Sequence, residues 1–206
     1  MIRKYISPIL SSLPFGKCTF LFFFALLFIS TIHSQNISEE YKNTIDGILQ
    51  NPPSTNQELE IALKTGLQDT LLLKYFLEAS TEKKYYSGEA FALNRLGAIY
   101  QNLSLFDKAI TLHQSALTAA DNADNAEFKI YSLNMLSMAY LRKNAIQSAL
   151  DNAQFALALA ENIENPTVEI KKSINISLNQ IGNIYKTLEQ WDLAIPRFEE
   201  ALELEK

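Results

Sequence analysis

Apolar and small side chains recur at helical spacings in the second half of the chain. Leu93, Leu96 and Tyr100 lie three and four residues apart, and Ala109 and His113 begin a second run with the same kind of spacing. Each run places its apolar residues on one face of a helix. Polar residues separate the two runs near positions 102–105. The pattern therefore predicts two amphipathic helices joined as a hairpin.

This hairpin pattern returns twice further along the chain, in register at eight positions. Three such copies predict an all-α fold, an α-α superhelix of stacked antiparallel hairpins. The positions are Leu93, Leu96, Gly97, Tyr100, Phe106, Ala109, Ala116 and Leu117 in the first copy, Leu133, Leu136, Ser137, Tyr140, Ile146, Ala149, Ala156 and Leu157 in the second, and Leu178, Ile181, Gly182, Tyr185, Trp191, Ala194, Ala201 and Leu202 in the third.

Small residues at two of these positions predict close helix approach. Gly97, Ser137 and Gly182 let the second helix of each hairpin approach the first, and the alanines at 109, 149 and 194 do the same from the other side.

The order of residue types resembles the tetratricopeptide repeat. Leu or Ile, Gly, Tyr, Ala, an aromatic residue and Ala follow one another at 96, 97, 100, 109, 113 and 116, and again at 181, 182, 185, 194, 198 and 201. The middle copy departs from the pattern at Ser137 and Ala153. The resemblance covers residues 85–206 and implies a protein- or peptide-binding module whose first helices line a concave surface.

The repeats are longer than the usual unit. Leu96, Leu136 and Ile181 are separated by 40 and 45 residues, against about 34 in the common tetratricopeptide unit. Asp124 with Glu127 is expected to form a capping box, and Asn165 with Pro166 a helix start. Elongated units resemble those of bacterial peptide-sensing regulators and of histidine kinases with exported repeat regions.

The first 34 residues have the pattern of a secretory signal peptide. Arg3, Lys4 and Lys17 precede an uncharged apolar run over 18–32, and Ser34 precedes Gln35 at a small-residue cleavage site. The run is shorter than the roughly 20 residues of a membrane-spanning helix, although a permanent anchor remains the alternative. We therefore expect export to the periplasm or cell envelope of a bacterium, with contact to the membrane only through the signal.

The composition after residue 34 excludes several kinds of site. It holds 15 basic and 23 acidic residues, no cysteine, and His113 as its only histidine. A disulfide framework, a cysteine or multi-histidine metal site, and a nucleic-acid interface are not expected, and no cofactor is predicted. The interpretation divides the chain into the signal peptide (1–34), a degenerate helical cap (35–80) and three repeats (81–123, 124–164 and 165–206).

The first helices carry the predicted binding surface. Asn94, Asn134 and Asn179 occupy one position in all three repeats, and a row of carboxamides could pair with the backbone of an extended peptide. The alternative is that these side chains bond neighbouring helices. The predicted peptide-binding groove comprises Asn94, Arg95, Gln101, Tyr131, Asn134, Met135, Met138, Arg142, Asn179, Asn183 and Lys186.

Catalysis is not expected, because no acid, base and nucleophile can be assembled from these residues. His113 stands at the repeat's aromatic position and is predicted to pack between helices. The favoured function is a binding module, the sensory or scaffold part of a signalling system. The alternative is a structural adaptor that associates through its last helix, because residues 201–206 expose an apolar side with no polar helix after it. A longer natural chain, a partner protein or self-association would cover that side.

Overall fold

The computed structural model describes residues 37–204, and the predicted signal peptide lies outside them. Within this range, residues 40–204 belong to one compact unit. Every regular element in the described part is a helix, which confirms the all-α prediction. The helices are α1 Glu39–Gln50, α2 Asn56–Ala62, α3 Thr70–Glu82, α4 Tyr86–Asn102, α5 Phe106–Asn122, α6 Ala126–Arg142, α7 Ile146–Glu161, α8 Val168–Thr187 and α9 Trp191–Glu203.

Three helical hairpins form the body of the fold: α4 with α5, α6 with α7, and α8 with α9. Each helix from α3 onward packs against the next one in the chain. Three-residue connections join the two helices of each hairpin, so the helices run antiparallel. The first helices also touch one another in sequence, α4 against α6 and α6 against α8. The core therefore extends along the stack of hairpins, as expected for a solenoid.

The small positions lie where the helices approach most closely. A Cβ atom added to Gly97 would lie 2.4 Å from the ring of His113, and one added to Gly182 would lie 2.7 Å from the ring of Phe198. The second hairpin has Ser137 and Ala153 at the equivalent positions. A larger first-helix residue is thus matched by a smaller second-helix residue, which explains how the middle repeat tolerates its departure from the pattern.

Tight turns without glycine connect most of these helices. Residues 84, 104, 124, 144 and 189 have positive φ angles of 48° to 63° and follow the C-caps of α3, α4, α5, α6 and α8. In the turn after α4, the backbone N–H of Leu105 donates to Tyr100 and that of Ser104 donates to Gln101. These two bonds define a Schellman motif, whose left-handed residue is usually glycine. All five turns have the same pair of bonds.

Two predicted helix starts are wrong by one or two residues. Asp124 is the left-handed residue of a turn rather than a cap, and the side chain of Asn125 caps α6 by accepting from the N–H of Phe128. Asn165 likewise has positive φ, and the side chain of Thr167 caps α8. In both cases the residue that a simple motif search selects as the cap has a left-handed backbone, and the observed cap lies one or two residues after it.

The ends of the N-terminal helices have clear local causes. Helix α1 ends before Asn51 and two prolines, Thr55 and Glu58 form a capping box at the start of α2, and Asp69 caps α3. Apolar residues of α1, α2 and α3 join one buried cluster with those of α4 and α6. This cluster includes Ile45, Leu59, Leu63, Phe76, Phe91 and Phe128.

Candidate peptide-binding surface

The first helices form one continuous surface, because α4, α6 and α8 lie side by side. On α6 a stripe of four predicted groove residues lies at spacings of four, three and four, which keeps them on one helical face. Tyr131, Met135 and Met138 are partly buried, and Arg142 is exposed. Two flexible thioethers between an aromatic residue and a guanidinium can adapt to the side chain of a bound segment.

Helix α8 extends this surface with polar groups. Asn183 and Lys186 are exposed, and Asn179 is half-buried. The Nδ2 of Asn179 donates to Asn175, to its carbonyl oxygen at 3.0 Å and its Oδ1 at 2.7 Å. Asn175 in turn donates to the carbonyl oxygen of Ala201 in α9. The amide of Asn179 is thereby oriented along its own hairpin.

Asn94 does not face the groove. Its side chain is fully buried, its Nδ2 donates to the hydroxyl of Ser132 at 2.8 Å, and its Oδ1 lies 2.9 Å from Nδ1 of His113. The residue thus joins α4 to α6 of the next hairpin and to α5 of its own. Its hydrogen-bonding groups are used inside the protein.

Asn134 repeats this arrangement one hairpin later. It is 1% exposed, its Nδ2 donates to the carbonyl oxygen of Ser173, and its Oδ1 accepts from the hydroxyl of Ser177. Its backbone carbonyl accepts from the side chain of Gln180. The expectation that Asn94 and Asn134 present carboxamides to a ligand is therefore wrong in this structure, and the alternative, bonding between neighbouring helices, is what the geometry supports. A buried amide must find partners, and the next hairpin provides them.

Two further groove candidates are also occupied or covered. Gln101 is 3% exposed. The guanidinium of Arg95 lies 3.4 Å from Glu60 of α2 and 5.8 Å from the centre of the Phe91 ring. Arg95 thus pairs with a carboxylate of this chain. Burial raises the pKa of the neighbouring Tyr131, so its phenol stays protonated.

His113 is a packing residue. Its ring is fully buried against Gly97, and burial lowers its pKa from 6.5 to about 4. An amide oxygen only accepts, so the contact with Oδ1 of Asn94 places the proton on Nδ1. Its Nε2 has no partner in the described part of the protein. The ring is therefore neutral at physiological pH and shielded from solvent.

The sequence interpretation did not predict the hydrogen bonds of three polar residues at the starts of α4 and α6. Tyr85, Asn125 and Glu127 all bond to the segment that leads from α1 into α2. Burial raises the pKa of Tyr85, and burial together with Glu169 and Glu58 raises that of Glu127. No local motif identifies these residues, because their partners lie 32 to 71 positions earlier in the chain.

A second surface is formed by the last hairpin, which exposes apolar positions that are buried or partly buried in the other two. Ile195 is 52% exposed, whereas Ile110 at the equivalent position is 7% exposed. Leu202 is 60% exposed, whereas Leu157 is 8% exposed. Beside them, a cleft of about 590 Å³ is lined by Val168, Lys171, Lys172, Asn175, Ile176 and Leu204.

The described residues contain no cluster of three or more histidine, cysteine, aspartate or glutamate side chains that could hold a metal ion. Over the same residues, no helix has both the length and the apolar character to cross a membrane. The polar groups of the candidate surface are amides, a phenol and cations, which suit the recognition of peptide backbone and carboxylates.

Two tetratricopeptide-repeat family models match the chain, over residues 88–162 and 177–206. Together they cover just over half of its 206 residues. This chain is a tetratricopeptide repeat protein. Such repeats typically serve protein–protein interaction rather than catalysis.

A solved structure extends the likeness to most of this tetratricopeptide repeat protein. The crystal structure of BtubC (BKLC) from P. vanneervenii is similar with a TM-score of 0.62 and 17% sequence identity, over 80% of this chain and 70% of that one. At this identity the similarity concerns the fold. The comparison with curated proteins finds no significant match.

Proposed function

We propose that this tetratricopeptide repeat protein binds a peptide or protein segment on the surface of α6 and α8. The observation that carries the proposal is the accessible stripe of Tyr131, Met135, Met138 and Arg142 on α6. Asn183 and Lys186 continue it on α8. The methionines offer adaptable apolar contact, and the cations at the edge attract carboxylates.

The binding test compares one change on the stripe with the same change elsewhere. Peptides are selected from a random library on the purified protein, and their affinities are measured by fluorescence anisotropy. Met138→Glu should weaken binding by about tenfold or more, because a carboxylate replaces an apolar contact. The control is Gln154→Glu, an exposed position on α7. Equal affinities for both variants and the wild type would refute the proposed surface.

The proposal includes export to the periplasm or cell envelope of a bacterium, where the protein is the sensory or scaffold part of a signalling system. Its support is the uncharged run over 18–32 that follows Lys17. N-terminal sequencing of the protein recovered from the envelope fraction should give a chain that starts at Gln35. A chain that keeps Met1 and stays in the cytoplasmic fraction would contradict export.

A second candidate function is that of a structural adaptor that associates through the last hairpin. The exposure of Ile195 and Leu202 favours it, because the equivalent residues Ile110 and Leu157 are buried in the earlier hairpins. Light scattering over a range of concentrations should then show association that Leu202→Lys abolishes. Leu103→Lys is the matched control, since Leu103 is equally exposed at 62% on another part of the stack. A monomer at all concentrations would count against self-association.

A further inference from the structure

The segment of residues 51–63, called the strap here, lies against the starts of α4 and α6. Pro52 and Pro53 keep its first part out of helix, and the cap residue Thr55 is extended with φ −119° and ψ 156°. Helix α2 follows with only seven residues. A helix of this length is not stable alone in water, so its folding depends on the surface beneath it.

Side chains of the repeats satisfy the backbone of the strap. The hydroxyl of Tyr85 donates to the carbonyl oxygen of Pro53, and Nδ2 of Asn125 donates to that of Ser54 at 2.9 Å. The backbone N–H of Asn56 donates to the carboxylate of Glu127 at 2.8 Å. An extended segment whose backbone is bonded by side chains of a groove is bound in the manner of a peptide ligand.

Side chains of the strap complete this contact. Leu59 and Leu63 are almost fully buried in the cluster that contains Phe91 and Phe128. Glu60 pairs with Arg95, which is one of the predicted groove residues. Apolar anchors, a charge pair and bonded backbone groups together make a built peptide site on α4 and α6.

We infer that the strap is an internal ligand, which occupies the N-terminal part of the peptide-binding surface and must open before a partner can use that part. This inference rests on the proposed function, since it treats α4, α6 and α8 as one binding surface. The chemistry of the strap also defines its competitor: an extended, proline-containing segment followed by a helical turn with leucine and glutamate. The part formed by α6 and α8 stays accessible while the strap is closed.

Opening of the strap exposes Leu59 and Leu63 and breaks its polar contacts, but it leaves the packing between the later hairpins in place. The carboxylate of Glu60 is 40% exposed, so water and salt screen its pairing with Arg95. The rest of the stack is joined by buried contacts that the strap does not share, including those of Ala149, Ala156 and Leu178. Opening would release Arg95 and the polar ends of α4 and α6 to a partner.

The first test measures amide hydrogen exchange along the protein by mass spectrometry. In the wild type, the amides of 56–63 should exchange through a local opening that does not involve α6. This opening should be at least about tenfold more frequent than the unfolding that exposes the amides of α6. Glu60→Arg should accelerate exchange in 56–63 alone, because two cations then face each other. Glu60→Arg combined with Arg95→Glu should restore the wild-type rate, and Glu78→Arg, an exposed position on α3, is the control.

The second test uses a synthetic peptide of residues 51–65 with a fluorescent label. It should bind the Glu60→Arg protein several-fold more tightly than the wild type, whose own strap competes for the site. Exchange of 56–63 only together with α6 would overturn the inference, and this measurement on the wild type decides the question even if a variant does not fold. Absence of peptide binding to a folded Glu60→Arg protein would overturn it as well. Failure of Met138→Glu to affect library peptides would instead reject the proposed function, while leaving the strap results intact.

Discussion

Replacing the buried His113 with phenylalanine should remove a specific pH dependence of stability. The imidazole is fully buried, and burial lowers its pKa from 6.5 to about 4 in the folded protein. Phe198 occupies the equivalent position in the third hairpin, where it packs on Gly182 as His113 packs on Gly97. His113→Phe therefore keeps the shape of the contact and removes the titrating group.

The sign of the effect follows from linkage. A histidine whose folded pKa lies below its unfolded value contributes stability that is fully present above pH 6.5, and that is lost as the pH falls toward 4. A shift of this size corresponds to about 3 kcal/mol when the loss is complete. Between pH 7.5 and 5.5, the wild type should lose about 1.3 kcal/mol more than His113→Phe.

Urea unfolding followed by circular dichroism at several pH values measures this difference. The wild type and His113→Phe share every other titratable group, so those contributions cancel when their free energies of unfolding are subtracted. The quantity to follow is how this difference changes with pH. The substitution also leaves Oδ1 of Asn94 without the Nδ1 donor, which should cost about 1 to 3 kcal/mol at all pH values. A difference in the free energy of unfolding that is constant from pH 7.5 to 5.5 would refute the buried, neutral imidazole.

Three other substitutions test the packing, the turns and the strap. Gly97→Ala should destabilise the protein by about 1 to 3 kcal/mol through overpacking, less about 1 kcal/mol gained in helix propensity. This loss should be smaller when His113 is also replaced by alanine, and additive losses in the double variant would contradict the contact between Gly97 and His113. Ser104→Gly should raise the free energy of unfolding by about 0.5 to 1 kcal/mol because φ is 60° there, whereas Ser115→Gly inside α5 should lower it by a similar amount. Glu127→Gln keeps an acceptor for the N–H of Asn56. Because the pKa of Glu127 is raised in the folded protein, the wild type loses stability as the pH rises through that pKa, and the melting temperature of the variant should rise relative to that of the wild type toward neutral pH. A difference in melting temperature that does not change with pH would count against the raised pKa.

The local features of the repeats could be predicted because they depend on nearby residues. Helix periodicity placed the three hairpins, and a feature such as the capping box at Thr55 depends on only two residues three positions apart. The close contact at Gly97 follows from the absence of a side chain at a position where two helices cross. The starts of α6 and α8 were missed by one or two residues because left-handed turns lie directly before them.

The role of the asparagine column depended on tertiary structure. Recurrence at 94, 134 and 179 is visible in the chain, but the direction of each side chain depends on what the next hairpin offers. Ser132 and Ser177, two residues before the second and third asparagines, were the available signal, since they pair with Asn94 and Asn134. Until the spacing of the hairpins is known, asparagines that bond the next hairpin cannot be distinguished from a row of asparagines exposed to a ligand.

The sequence by itself determined the helices, their pairing into hairpins and the repeat that stacks them, because these follow from contacts within about 45 residues and from a pattern repeated in register. Only the tertiary structure decided which polar side chains remain accessible, and that the strap covers part of the expected surface. The partners of Tyr85, Asn125 and Glu127 lie far away along the chain and share no period with them. Long-range bonds between irregular backbone and side chains leave no pattern in the sequence, so the accessible surface of this protein emerges only when the chain is folded.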